Sequence, residues 1–258
     1  MIRIGCVSYL NTTPLVWGLE RAADLQLIYA VPAHLLAMLE SGACDVALLP
    51  IIDYQRAGDL VIVPGSCIGA YGHVHTVRLF SKIPIGQIRR LYADVESHTS
   101  VGLCRVILKH AYGIEPEFVQ DTAAVDAQLL IGDKVVVNAP VGYEHQLDLA
   151  EAWKSWTGLP FVFATWMARE GAKLSDLPQR LEIAMREGLV NVDAIVAREA
   201  AARSWPPDIA KDYLLRLLKL QLDLRPDSPQ RQAIELFHRL VHQAGVTGQC
   251  RPLKVYRP

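Results

Sequence analysis

Short apolar segments alternate with helix-forming segments in the first part of the chain, and this alternation constrains the fold more than any other feature. Residues 2–7, 25–31 and 45–49 are rich in branched apolar side chains, which is typical of buried strands. Between the second and third of these runs lies a segment with leucines on one helical face, which Gly42 ends. Such an order favours an α/β fold with a parallel sheet and right-handed crossovers.

The first strand leads into a polar turn at residues 8–15, with the sequence Ser-Tyr-Leu-Asn-Thr-Thr-Pro-Leu. Thr12 or Thr13 is placed to cap a following helix, and Pro14 suits its first position. A helix start favours an anion, and ligands of α/β proteins bind at this end of a strand. The turn therefore predicts a ligand site, with a well-capped helix that binds nothing as the alternative.

A second polar turn, at residues 97–100, follows a short strand at 91–93 and feeds a helix that Gly113 closes. Two helix starts suited to anions favour a ligand with two acidic groups. Two interpretations stay open for His98 in this turn: it presents charge to a carboxylate, or it is a solvated loop histidine. Asp53 likewise either lines a cleft or caps a helix.

Composition excludes several classes of protein. The chain has 258 residues, of which 51% are hydrophobic and 21% charged, and its net charge is −1, so we expect a sizeable core and no nucleic-acid partner. Apolar runs too short for a bilayer and no visible secretory signal predict a cytoplasmic protein that does not contact membrane. The five cysteines are odd in number and widely spaced, which disfavours a disulfide framework and a zinc site.

The strand pattern changes at residue 84 and returns near residue 165, which predicts two nested lobes. Residues 1–83 and 164–258 would form the first lobe, with a helical segment from Ser175 onward, and residues 84–163 an inserted α/β lobe. The chain would cross between lobes near residues 81–84 and 163–166. A ligand cleft would then lie between the lobes and close around a small molecule. One continuous α/β domain is the alternative.

Several segments, in order, carry a resemblance to a known family: residues 4–15, 45–50, 79–84, 99–101, 130–133 and 153–164. They resemble the enzymes of menaquinone biosynthesis by the futalosine route, which have a two-lobed periplasmic-binding-protein-like (type II) fold. The branch indicated is chorismate dehydratase, because the sister branch usually carries a Cys-Pro-Asn-Asp-like turn at residues 8–11. The chain departs from the family at residues 70–74, and Thr76 replaces a family serine.

The resemblance implies that the protein converts chorismate to 3-[(1-carboxyvinyl)oxy]benzoate and water, with no cofactor and no metal. Asn11 is implied as the residue nearest the chemistry. The implied substrate-binding residues are Leu10, Thr12, Ile68, Gly69, Thr76, Thr99, Ser100 and Asp133. The base stays open, because an amide is a poor base; the substrate's own side-chain carboxylate and Asp133 are the candidates.

Two other functions remain compatible with the sequence. One is that of the sister enzyme, a 1,4-dihydroxy-6-naphthoate synthase, whose substrate is larger. The other is that of a non-enzymatic solute-binding protein, because this fold serves both binding and catalysis. All three functions have a small-molecule partner, and the sequence leaves the oligomeric state open.

Overall fold

The computed structural model describes residues 1–93 and 98–257, which form two β-sheets with helices packed around them. The first sheet contains β1 (Ile2–Cys6), β2 (Leu25–Tyr29), β3 (Val46–Pro50), β4 (Leu60–Ala70), β10 (Phe161–Arg169) and β11 (Leu218–Gln221). The second contains β5 (Val77–Ser81), β6 (Arg90–Ala93), β7 (Glu117–Val119), β8 (Ala127–Ile131) and β9 (His145–Asp148). The α-helices are α1 (Pro32–Glu40), α2 (His98–Tyr112), α3 (Asp133–Val137), α4 (Leu149–Thr157), α5 (Leu177–Val190), α6 (Val192–Ala202), α7 (Pro207–Asp212) and α8 (Pro229–Gln243).

The first sheet has the strand order β11-β4-β10-β3-β1-β2. Strand β1 pairs in parallel with both β2 and β3, which confirms the parallel strands expected from the sequence. Strand β10 runs antiparallel to β3 and β4, so the sheet is mixed rather than wholly parallel. None of the helices in the described part of the chain is long and apolar enough to cross a membrane.

The chain passes between the two sheets at residues 71–76, here named the first connector, and at residues 149–160, the second connector. The crossings expected near 81–84 and 163–166 are therefore wrong, because β5 belongs to the second sheet and β10 wholly to the first. The break at residue 84 is a turn between β5 and β6, whereas the true crossing is marked by Gly72 with φ of 103°. A division into lobes has to follow these connectors.

Asp148 fixes both connectors with one carboxylate. Its side chain is 6% exposed. One oxygen accepts the N–H groups of Val74 and His75 at 3.0 and 2.8 Å. The other accepts the N–H groups of Ala150 and Glu151, each at 3.1 Å, and so caps α4. The two crossings are thus held against each other by charge-assisted hydrogen bonds.

The polar turn after β1 does not lead into the expected α-helix. Residues Leu10–Val16 form a 3₁₀ helix, and Thr12 and Thr13 lie inside it rather than at its cap. Pro14 lies inside as well, and its missing N–H is tolerated in a short 3₁₀ segment that α5 packs against. The prediction of an α-helix start with free N–H groups at this turn is therefore wrong.

The segment after α7 also differs from expectation. The sequence analysis expects a helical segment from Ser175 onward, but a π-helical turn at Tyr213–Leu217 follows α7 and leads into strand β11. Within β11 the buried Leu218 and Leu220 alternate with exposed residues, which is the period of a strand. The leucine-rich sequence fits the period of a helix as well as that of a strand, and pairing with β4 makes it a strand.

We predict that Gly188→Ala destabilises the protein, against the general rule for helix interiors. Alanine normally stabilises a helix relative to glycine. A Cβ at residue 188 of α5, however, would collide with the backbone of Pro14. Such overpacking costs about 1–3 kcal/mol, and the thermal midpoint should fall. Gly58→Ala is the control, because nothing lies within 4 Å of the added Cβ; equal midpoints for the two variants would contradict the close packing.

Candidate functional site

Residues of both sheets and of the first connector line one cavity. Its empty space, counted together with the solvent at its open mouth, is about 720 Å³. Its lining residues are Val7, Tyr9, Asn11, Pro32, Leu48, Pro50, Ile68, Val74, Thr76, Val77, His98, Thr99, Ser100, Ile131, Gly132, Phe163, Ala164 and Tyr213.

The structure brings together several of the residues that the sequence analysis singled out. Asn11, Ile68, Thr76, Thr99 and Ser100 all line this cavity. They come from the turn after β1, from β4, from the first connector and from the start of α2. Their roles towards a substrate stay predictions, and the geometry gives them a common space in which to act.

Four other predicted residues are not among the described residues that line the cavity. Leu10 is fully buried in the core, and Thr12 lines a separate cavity beside Arg203. Gly69 lies within the first sheet, where an added Cβ would meet backbone oxygens of the neighbouring strands at 3.0 and 3.1 Å. Asp133 follows the lining residue Gly132, but its carboxylate lies 3.8 Å from the Arg203 guanidinium.

Part of the cavity wall is polar, and Tyr213, which the sequence analysis did not single out, lies at its centre between Asn11 and Thr76. Its Oη accepts hydrogen bonds from Asn11 Nδ2 and from Thr76 Oγ1, each at 3.1 Å. Because both neighbours donate, the phenol keeps its own proton to donate to a further acceptor. The side chain is 2% exposed and lines the cavity. A π-helical turn, a feature often found at functional sites, carries it there.

Burial raises the pKa of Tyr213 to about 12, although the hydrogen bonds from Thr76 and Asn11 act in the opposite direction. The phenol is therefore neutral near pH 7. The ring packs against Trp205 with 5.2 Å between ring centroids. The residue is thus a fixed, protonated hydroxyl group at the cavity wall.

The start of α2 presents hydroxyl groups to the same cavity. Thr99 Oγ1 accepts the N–H of Ile52 at 3.3 Å, so the proton of this hydroxyl stays free to donate. Ser100 is 4% exposed and also lines the cavity. Ser97, the first residue of the predicted polar turn, lies outside the described residues. None of the described lining residues is Lys or Arg, so an anion here would be held by hydroxyl groups and a helix start.

His98, which lines the cavity and is partly exposed, pairs with the buried Asp53. His98 Nδ1 lies 3.0 and 3.3 Å from the two carboxylate oxygens of Asp53. Asp53 is fully buried in the 3₁₀ turn after β3, and the guanidinium of Arg56 lies 3.4 Å from the same carboxylate. The sequence analysis gave two interpretations for each of these residues, and the structure shows that their side chains contact each other.

A buried histidine fixes the turn that carries Asp53. His238 Nε2 donates to the carbonyl of Ile51 at 3.0 Å, and the Gln55 amide donates to Nδ1 at 2.9 Å. The side chain of Gln55 also fixes the C-terminal segment. Its amide nitrogen donates to the carbonyl of Arg251 at 3.0 Å, and its amide oxygen accepts the N–H of Arg251 at 2.6 Å. Burial lowers the pKa of His238 to about 4, so the imidazole is neutral in the folded protein.

We predict that His238 makes the protein less stable in mild acid. Its pKa is about 4 when folded, below the ordinary value of 6.5. The free energy of unfolding should therefore fall as the pH drops from about 6.5 towards 4, by about 3 kcal/mol in total. Urea unfolding at neutral and mildly acidic pH measures the effect. His238→Gln should reduce this pH dependence and the exposed His34→Gln should keep it; an unchanged slope in His238→Gln would contradict the assignment.

Comparison with known protein families gives two matches over most of the chain. The model of a family described as menaquinone biosynthesis matches residues 2–243. A chorismate dehydratase from Thermus thermophilus is 31% identical over 235 residues, which cover 82% of this chain and 86% of that protein.

Comparison with solved structures gives the fold. The alkanesulfonate-binding protein SsuA from Xanthomonas axonopodis pv. citri matches with a TM-score of 0.68 at 13% identity, over 96% of this chain and 94% of that chain. The periplasmic aliphatic sulphonate binding protein SsuA from Escherichia coli matches with a TM-score of 0.66 at 13% identity, over 100% and 94% of the two chains. These matches confirm the expected periplasmic-binding-protein-like α/β fold.

Proposed function

Because the chain belongs to the menaquinone biosynthesis family, we propose that it is a chorismate dehydratase of the futalosine route. It converts chorismate to 3-[(1-carboxyvinyl)oxy]benzoate and water. The observation that carries this proposal is the 31% identity to a chorismate dehydratase over 82% of the chain. The family match over residues 2–243 includes both sheets and all the described residues that line the cavity.

The reaction needs a base, a proton donor and anion-binding groups. The hydrogen on the ether-bearing ring carbon is vinylogously acidic, because the ring carboxylate is conjugated with the adjacent double bond. Its removal and the loss of the neighbouring hydroxyl produce an aromatic ring, and that product drives the reaction. The protein has to hold two carboxylates, stabilise the developing dienolate and protonate the departing oxygen.

The hydroxyl groups at the start of α2 suit a substrate carboxylate. Thr99 and Ser100 can donate to it, and the positive end of the helix dipole adds to the attraction. Hydrogen bonds of this kind hold an anion without a lysine or arginine, in agreement with the lining residues that the structure describes. The apolar side chains Ile68 and Phe163 form a surface for the ring.

Tyr213 suits the departing hydroxyl group. Its phenol proton can pass to the oxygen as the bond to carbon breaks, and the product is then water. The phenolate left behind would be stabilised by the two hydrogen bonds from Asn11 and Thr76. In this proposal Asn11 acts on the leaving group through Tyr213.

Incubation of the purified protein with chorismate tests the proposal. The expected product is lighter than chorismate by one water and has an aromatic spectrum. Binding of chorismate without a product would favour the solute-binding alternative, which the structural neighbours keep open. A product only from the larger substrate of the sister enzyme would overturn the assignment in favour of that branch.

We predict that Asn11→Ala lowers turnover much more than product affinity. Loss of one donor that acts in the transition state costs on the order of 100-fold or more in kcat. The control is Asn138→Ala, an exposed position that is not among the described lining residues. A thermal midpoint that falls while the rate stays near wild type would leave Asn11 a structural residue only.

We predict that Tyr213→Phe lowers kcat by on the order of 100-fold or more while the ring still packs on Trp205. The midpoint should also fall, because the buried Thr76 and the partly buried Asn11 lose their acceptor. Since Asn11 acts through the phenol, the double variant should be no slower than Tyr213→Phe. Tyr112→Phe, an exposed position on α2, is the control. Independent, multiplying effects of the two substitutions would contradict this arrangement.

A further inference from the structure

We propose that Asp148 is a positioning residue for the dehydration, because it holds the first connector where Thr76 can reach Tyr213. This inference rests on the proposed function. Asp148 is not among the described residues that line the cavity. Its carboxylate binds the backbone just before Thr76, and Thr76 in turn donates to the Tyr213 phenol. Its effect on the reaction therefore passes through other side chains.

One carboxylate oxygen of Asp148 binds the start of the first connector at three points. Oδ2 accepts the N–H groups of Val74 and His75 at 3.0 and 2.8 Å, and it lies 3.0 Å from His73 Nδ1. Hydrogen bonds to an ionised acceptor are stronger than those between neutral groups. Because the side chain is buried, water competes little for these contacts. The carboxylate thus fixes the backbone up to the residue before Thr76.

The backbone at His75 needs such support. Its φ is 71°, in the left-handed region that residues with a Cβ rarely adopt. A conformation of this kind persists only where the surrounding contacts impose it. Here the N–H of His75 is bound by Asp148, and the carbonyl of Thr76 accepts the N–H of Gly132 at 2.8 Å. The ends of β9 and β8 therefore hold the connector on both sides of the strained residue.

The connector carries Thr76 from the second sheet to the cavity wall. The side chain is buried, and its Oγ1 donates to Tyr213 Oη at 3.1 Å. Tyr213 belongs to the segment before β11, which is a strand of the first sheet. This hydrogen bond thus joins segments that belong to different sheets, and a shift of the connector would break it. A misplacement of about 1 Å in a catalytic group can lower a rate by on the order of 100-fold.

The two oxygens of Asp148 have separate tasks, which makes asparagine an informative substitution. Oδ1 accepts the N–H groups of Ala150 and Glu151 and caps α4. Asparagine has only one acceptor oxygen, and it caps helices as well as aspartate does. We expect α4 to keep its cap in Asp148→Asn. The amide NH₂ group would then face the N–H groups of Val74 and His75, so the first connector would lose its acceptor.

The test compares chorismate turnover and product binding in Asp148→Asn and Asp126→Asn. Asp126 is the matched control, because its carboxylate also accepts two N–H groups in the second sheet, those of Arg89 and Arg90 at 2.8 and 2.9 Å. We expect kcat to fall by on the order of 100-fold in Asp148→Asn, with product affinity within a few-fold of wild type. Asp126→Asn should keep kcat near wild type, and equal kcat values for the two variants would overturn the inference.

A double substitution separates positioning from a general loss of structure. Thr76→Val removes the hydroxyl group that Asp148 is proposed to place and keeps a branched side chain of similar size. If Asp148 acts through Thr76, adding Asp148→Asn to Thr76→Val should lower kcat little further. Effects that multiply would overturn the inference, because Asp148 would then act by another route.

Hydrogen exchange measures the hold on the connector without any turnover. The amides of Val74 and His75 should exchange slowly in the wild type and faster in Asp148→Asn, while the amides of β4 keep their protection. Wild-type exchange at these two amides as fast as in an open loop would overturn the inference, whether or not the variant folds. Should Asp148→Asn fail to fold, Asp148→Ser takes its place, because serine also caps helices and presents no NH₂ group to the connector.

The outcomes separate this inference from the proposed function. A wild-type protein that does not dehydrate chorismate overturns the proposed function, and the inference falls with it. A wild-type protein that does so, beside Asp148→Asn with an unchanged kcat, overturns only the role of Asp148. A fall in kcat that Thr76→Val abolishes, together with faster exchange at residues 74 and 75, supports both.

Discussion

A phenol oxygen that accepts two hydrogen bonds joins three segments that are distant in the sequence. Tyr213 lies 202 residues from Asn11 and 137 residues from Thr76, and all three meet at its Oη. The turn after β1, the first connector and the segment before β11 therefore have to reach one point together. Asp148 fixes the position of one of these segments, because its carboxylate holds the first connector against the start of α4. The cavity wall depends on these two junctions.

Buried polar groups at this site carry a constraint of their own. An uncompensated hydroxyl group or carboxylate in a water-poor interior costs free energy, so each has to find partners. Tyr213 Oη has two donors, and Asp53 has His98 and Arg56. These partners also fix the side chains in place before a substrate arrives. The same hydrogen bonds therefore serve folding and preorganisation.

Local sequence signals predicted the local parts of this fold. The strands β1 and β3 and the helix that begins at the second polar turn follow from side-chain period and turn signals alone. Local signals could not predict strand pairing. The leucine-rich run of β11 fits the period of a helix as well as that of a strand, and only its pairing with β4 makes it a strand. The strong turn at residue 84 led to the wrong place for the connectors, because pairing puts β5 in the second sheet. Tyr213 was missed for the same reason, because its partners are far away in the chain.

The difference between a binding protein and an enzyme of this fold lies in groups that change protonation. A ligand is held by donors that match its resting charge, and this is the role proposed for Thr99 and Ser100 in the cavity. Catalysis needs stronger interaction with the transition state than with the substrate. A phenolate formed at Tyr213 in the proposed reaction would gain from its two donors. This gain would appear only after a proton has moved, so retention of an unchanged ligand would not use it.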